Sequence, residues 1–199
     1  MPTVLVPPER LDRWVHNFSE RHGGVELRVE DGLRGDAPDG SWFTAALPFG
    51  RAHAGPADVT DLVAASAPPD AWGVLLVRKG GFAVARMSGP DMVEHKIGQR
   101  HVQGRTKAGG QSQQRFARRR DNQARVAYEA AADHAARILT CGPLVTGGDR
   151  PAVEEVLSDT RLSRLPVVGP WLPVSDPRRQ VLDGAVRDGA SFVVEVTNA

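Results

Sequence analysis

Six of the seven glutamines in this 199-residue chain, Gln99, Gln103, Gln111, Gln113, Gln114 and Gln123, fall within residues 99–123, beside Gly98, Gly104, Gly109 and Gly110. The same stretch concentrates positive charge. Residues 96–125 hold Lys96, Arg100, Arg105, Lys107, Arg115, Arg118, Arg119, Arg120 and Arg125 against one acid, Asp121, a local charge of +8. The remainder carries 16 basic and 23 acidic residues, a charge of −7. Arginine and lysine neutralise phosphates, glycine lets backbone N–H groups approach a substrate closely, and glutamine positions polar groups without titrating. An acidic body with one basic segment therefore predicts a local contact with a polyanion. Between Gln103 and Phe116 no aliphatic residue is larger than Ala108. Such a stretch cannot bury itself, so an exposed, mobile loop is expected over residues 104–113, and long loops in compact domains usually carry function.

Other chemistries find little support. There is no Walker pattern and no Gly-x-Gly-x-x-Gly, so no nucleotide cradle and no cofactor are expected. Cys141 is the only cysteine, which excludes an intrachain disulfide and a cysteine zinc cluster, and it reads as a small buried hydrophobe. His16, His22, His53, His95, His101 and His134 lack metal-ligand spacing, so no metal is expected and they read as surface or packing residues. His95 and His101 remain open as RNA contacts within the basic segment. Gly147-Gly148 ahead of a helix fits a phosphate cradle less well than a strand-to-helix turn. Trp14, Trp42, Trp72 and Trp171 read as core or rim aromatics. Met1 to Pro8 lacks the basic and apolar regions of a signal peptide, and no run approaches the roughly 20 apolar residues of a membrane span. A cytoplasmic location without a membrane partner is expected.

The elements that must position the segment follow from periodicity. Leu11, Trp14, Val15 and Phe18 lie on one face of a helix over residues 9–20, which Gly23-Gly24 ends. Residues 25–30 alternate as a strand, residues 31–40 read as turn, and Trp42 to Leu47 reads as a partner strand. A loop over 48–55 precedes a short helix from Asp58 to Ala65. Residues 73–77 and 82–87 read as a hairpin around Gly80-Gly81, with Met92 to Val102 as a third strand of the same sheet. The longest helical pattern runs from about Ser112 to Leu139. Phe116, Ala124, Ala127, Tyr128, Ala131, Ala135 and Ile138 mark its apolar side, and Arg115, Arg118, Arg119, Asn122 and Arg125 another face. A strand over 143–146, a helix from Arg150 to Leu157 capped by Asp149, a strand at Val167-Val168, a helix from Asp176 to Arg187 and a strand from Ser191 to Val196 complete the pattern. Hydrophobic content of 41% and the absence of linkers fit one α/β domain over residues 1–199, a mixed β-sheet with flanking helices.

The run from Lys96 to Arg120, with Gly109-Gly110-Gln111 at its centre, resembles the loop and helix of the middle domain of archaeal and eukaryotic peptide-chain release factors. It is most similar to the actinobacterial Vms-like release-factor group, described as peptidyl-tRNA hydrolases. The motif-bearing likeness covers roughly residues 73–160. The resemblance implies an RNase H-like middle-domain architecture, with an exposed Gly-Gly-Gln loop leading into a long helix. It also implies codon-independent hydrolysis of the peptidyl-tRNA ester on stalled ribosomes or large subunits. The partners would be the ribosome, at its peptidyl-transferase centre, and peptidyl-tRNA. Gly109, Gly110 and Gln111 would be catalytic, the Gln111 N–H stabilising the oxyanion. Arg100, Arg105, Lys107, Arg115, Arg118, Arg119, Arg120 and Arg125 would hold RNA. Vms-like proteins often read Gly-Gly-Ser-Gln, so the order Gly109-Gly110-Gln111-Ser112-Gln113 leaves Gln113 as a second candidate for the working glutamine. A non-catalytic RNA-binding module and a nuclease acting on the tRNA 3′ end are the competing readings.

Overall fold

The computed structural model describes residues 2–99 and 111–199, with residues 111–123 in backbone only. In chain order the strands and helices begin with β1 (Thr3–Val6), α1 (Pro8–His22), β2 (Glu26–Val29), β3 (Leu33–Asp36) and β4 (Trp42–Ala46). A short 3-10 turn (Pro48–Gly50), α2 (Val59–Ala65), β5 (Trp72–Arg78), β6 (Gly81–Ser88) and β7 (Asp91–Gln99) follow. The second half comprises α3 (Gln111–Ile138), β8 (Leu144–Gly148), α4 (Arg150–Leu157), another 3-10 turn (Thr160–Leu162), α5 (Arg179–Gly189) and β9 (Phe192–Thr197). The mixed α/β class is as expected, but the strands form two sheets where the sequence reading has one. The backbone groups into two compact units: residues 1–69, 168–170 and 186–199, and residues 70–167 and 171–185.

The first unit carries the antiparallel sheet β1-β9-β4-β3-β2. Helix α1 starts with Pro8 in its first turn and stops at Gly23, whose φ of 76° suits glycine. Its buried Leu11, Val15 and Phe18 pack into a core with Leu33, Phe43, Ala45, Phe192 and Val194. Phe43 meets the rings of Trp14 and Phe18 edge-on at 5.1 and 5.0 Å. Two strands of this sheet escaped the sequence reading. β3 has a turn-like composition, yet Gly35 pairs with Phe43, and a Cβ on Gly35 would lie 2.3 Å from the Phe43 ring. β1 becomes a strand by pairing with β9, from Thr3 opposite Glu195 to Val6 opposite Phe192.

The second unit is built on the sheet β7-β6-β5-β8. β5, β6 and β7 form the expected meander, and β8 adds in parallel beside β5. The third strand ends at Gln99, so the part of that expectation on residues 100–102 lies outside the described residues. β5 is buried almost throughout because both of its neighbours are strands and helices cover it. Leu75, Val77, Phe82 and Val84 share one core with Ala131, Ala135 and Ile138 of α3 and with Ala152, Val153 and Val156 of α4. Val167 forms an isolated parallel bridge with Leu144 in place of a full strand.

Candidate functional site

Helix α3 carries the C-terminal part of the motif, and its backbone begins at Gln111. The helix is thus present one residue earlier than the sequence predicts, and residues 111–113 of the expected loop are helical. Gln113, Arg115, Arg118, Arg119 and Arg120 are helical in backbone. Arg100, Arg105, Lys107, Gly109, Gly110 and His101 lie outside the described residues, as does most of the expected loop. Arg125 is the one predicted RNA-binding side chain described: it is exposed and pairs with Glu129 one turn along α3.

What holds α3 is clear in its second half. Ala127, Ala131, Ala135 and Ile138 are buried, as their spacing predicts, with Ala124 and Tyr128 half-buried. Full burial of Ile138 contributes about 1.5–3 kcal/mol, and Phe82 stacks on His134 at 5.6 Å. Ties on either side involve residues that the sequence reading did not single out. Arg137 donates to Glu94 Oε1 on β7 at 2.8 Å, and Arg86 on β6 approaches Glu94 Oε2 at 3.7 Å. Arg161, in the second 3-10 turn, donates through Nη2 to Asp133 at 2.7 Å and to Asp159 at 2.6 Å. No periodicity announces such pairs, because partners such as Glu94 and Arg137 are far apart in sequence.

A cleft of about 450 Å³ lies along this helix, lined by Arg125, Tyr128, Glu129, Asp133, Glu155 and Arg161 among others. Burial pushes the Tyr128 hydroxyl pKa up, and Asp149 and Glu155 add to the shift. Hydrogen bonds from Arg161 hold the Asp159 carboxyl down at about 2. A smaller apolar hollow of about 210 Å³, lined by Gly81, Phe82, Gly98, Gln99, Ala127 and Ala130, sits on the β6–β7 side. The described residues contain no group of three or more His, Cys, Asp or Glu able to hold a metal.

Several smaller expectations meet a definite outcome. Asp149 occupies the cap of α4, but its side chain caps nothing and lies 3.5 Å from Arg78 Nη2; its N–H instead donates to the Val77 carbonyl at 2.8 Å. Gly147 and Gly148 are explained by close approach. A Cβ on Gly147 would lie 2.3 Å from the Leu172 carbonyl oxygen, and one on Gly148 would lie 2.1 Å from that of Val77. The strand-to-helix turn thus accounts for both glycines. Cys141 is exposed, contrary to expectation, because it follows the end of α3 in a bend before β8. His95 Nε2 faces Arg179 Nη1 at 3.2 Å. Among the described residues, no helix is long and apolar enough to cross a membrane.

A mixed α/β unit whose long arginine-bearing helix opens at the glutamine of Gly109-Gly110-Gln111 combines the features expected of a release factor. Residues 70–195 match the family model of the Actinobacteria/chloroflexi VLRF1 release factor, and the chain belongs to that family. No curated protein matches it. Among solved structures, one described as "Archaeal protein" is 15% identical with a TM-score of 0.38, over 78% of this chain and 51% of that one. The archaeal translation termination factor aRF1 is 12% identical with a TM-score of 0.35, over 94% of this chain and 65% of that one. The chain thus spans about half to two thirds of these solved chains, and neither likeness is close enough to bear on function. The matched family is one of release factors.

Proposed function

We propose that the chain hydrolyses the ester of peptidyl-tRNA, without reading a codon, on stalled ribosomes or large subunits, and so frees the nascent chain. The observation that carries this reading is the release-factor family match over residues 70–195, within which Gly109-Gly110-Gln111 runs directly into the arginine-bearing helix α3. The Gln111 backbone amide donates to the oxyanion of the tetrahedral intermediate. Glutamine lacks a useful pKa, so its side chain admits and orients water and is no general base. The terminal ribose hydroxyl of the tRNA carries the proton. Arg100, Arg105, Lys107, Arg115, Arg118, Arg119, Arg120 and Arg125 hold rRNA and tRNA phosphates around the peptidyl-transferase centre.

The test is single-turnover peptide release from stalled peptidyl-tRNA complexes, with ribosome binding measured in parallel. Gln111→Ala keeps the backbone donor and should retain substantial release, whereas Gly110→Ala should slow release by about 10²–10³ through loss of the presented amide. Gln113→Ala should be mild. Loss of release in Gln113→Ala alone would move the working glutamine to position 113. Native rates in all three variants would leave a binding module, and a tRNA shortened at its 3′ end would indicate a nuclease.

A further inference from the structure

The structure assigns to Arg51, in the first unit, the role of an anchor for a backbone phosphate of RNA, outside the basic segment of residues 96–125. This rests on the proposed encounter with the ribosome, and it concerns a part of the chain that the family match over residues 70–195 does not reach. Four arginines among the described residues are half-buried: Arg34, Arg51, Arg78 and Arg86. Three of them have a carboxylate. Arg34 meets Asp36 at 2.9 Å, Arg78 meets Asp149 at 3.5 Å and Arg86 meets Glu94 at 3.7 Å. Arg51 has no such partner among the described residues. Its Nε donates to the Pro48 carbonyl at 3.3 Å. Its Nη2 is buried without an acceptor, the only side-chain atom of that kind among the described residues. Burial pushes the Arg51 pKa down, with no charged neighbour contributing. A guanidinium stays charged even so, and buried charges are ordinarily paired.

The turn that carries Arg51 is strained as well. Phe49 lies in the left-handed region at φ 64° and ψ 21°, one of two non-glycine residues with positive φ, and Gly50 follows at φ 65°. A bulky residue adopts that conformation only where its surroundings hold it there, and the Phe49 side chain is buried. Its ring lies 5.6 Å from the Arg51 guanidinium carbon. Stacking of this kind fixes the guanidinium plane and leaves the donors at its edges for a partner. The neighbours Gly50 and Ala52 are exposed and small, so neither side chain shields the approach. A phosphate arriving here competes with no internal carboxylate. Arg51 gives up only the long contact to Pro48, and Nη2 gains the acceptor it lacks. Arg34, Arg78 and Arg86 would each have to break an ion pair to do the same. Phosphate is favoured over a protein carboxylate because the proposed encounter sets the chain against rRNA, where phosphates are the prevailing anion and suit the arginine fork.

The experiment measures binding of the full chain to purified large ribosomal subunits across a salt titration. Arg51→Met should weaken binding about tenfold. It should also lower the slope of log affinity against log salt by about 0.7–0.9, the effect of one lost phosphate contact. Its Tm should equal or exceed that of the unsubstituted protein, since a buried charged donor without an acceptor is removed. Arg51→Lys keeps the charge and should keep the slope. Native affinity and slope in Arg51→Met overturn the inference, and a lowered Tm beside them makes Arg51 a structural residue. Weaker binding at an unchanged slope assigns Arg51 to a protein carboxylate and overturns the phosphate as its partner. Peptide release is followed in parallel. An absence of release while the slope still depends on Arg51 refutes the hydrolase reading alone, whereas a chain that binds no large subunits refutes both. Should Arg51→Met lose cooperative melting, Arg51→Gln decides by the same criteria.

Discussion

At the scale of single residues, Gly148 makes the sharpest demand on backbone geometry. Its φ is 107°, and an added Cβ would meet the Val77 carbonyl oxygen at 2.1 Å, so no side-chain rearrangement can relieve the contact. Gly148→Ala should lower unfolding stability by about 2 kcal/mol or more, combining left-handed strain with backbone displacement. A denaturant midpoint equal to that of the unsubstituted protein would show that the β8–α4 turn adapts freely. Asp159 supplies a pH marker. Its carboxyl is held at about 2 by hydrogen bonds from Arg161, below the roughly 3.9 of an unfolded chain. The folded value is the lower one, so this contribution is fully present above about pH 4 and is lost as the pH falls toward 2. An NMR titration should place the Asp159 midpoint near 2 and return it toward ordinary carboxylate values in Arg161→Gln; coincident midpoints would mean that Arg161 does not hold it.

At the scale of the element, α3 joins two different requirements in one helix. Its second half is a buried alanine face on a sheet, and its first half bears Arg115, Arg118, Arg119 and Arg120. Cations in the first turns oppose the helix dipole, a cost that a bound anion offsets. Replacing Arg118, Arg119 and Arg120 together by Gln should weaken ribosome association and reduce the slope of log affinity against log salt by roughly 2 to 3. Melting should change little. Identical salt slopes for the variant and the parent would remove these arginines from the interface. The heptad-scale pattern of α3 was readable because Ala127, Ala131, Ala135 and Ile138 repeat at helical spacing. The ties through Glu94 and Arg161 were not, since nothing local relates Glu94 to Arg137 or Arg161 to Asp133.

At the scale of the whole molecule, two cores are assembled from interleaved stretches of chain. The sheet of the first unit depends on β9, which lies between β1 and β4 and pairs with both. Residues 1–69 on their own would leave β1 without a partner and Phe43 without Phe192 and Val194 in its core. A fragment of residues 1–69 should therefore show no cooperative unfolding transition. Fusing residues 186–199 to it through a flexible linker should restore one, monitored by near-UV circular dichroism. Cooperative melting of the 1–69 fragment by itself would show that β9 is dispensable.

Local pattern determined much of this protein by itself. The apolar stripes of α1 and α3, the hairpin at Gly80-Gly81, the helix behind Pro151 and the clustered charge around Gly109-Gly110-Gln111 depend on residues near each other in sequence, where helical and strand periods act directly. Tertiary structure decided what depends on distant partners. β3 is a strand because Phe43 and its neighbours meet it, not because its composition favours it, and β1, a strand-favouring Thr-Val-Leu-Val run, finds its partner only in β9. The Asp149 carboxylate caps nothing and lies 3.5 Å from Arg78 Nη2, a residue far away in sequence. Gly147 and Gly148 have their reason in the Leu172 and Val77 carbonyls, and the division into two sheets follows from β8 lying beside β5 while β9 lies between β1 and β4. Chain-distant contacts form only when loops close and cores assemble, and no window of local sequence contains that free energy.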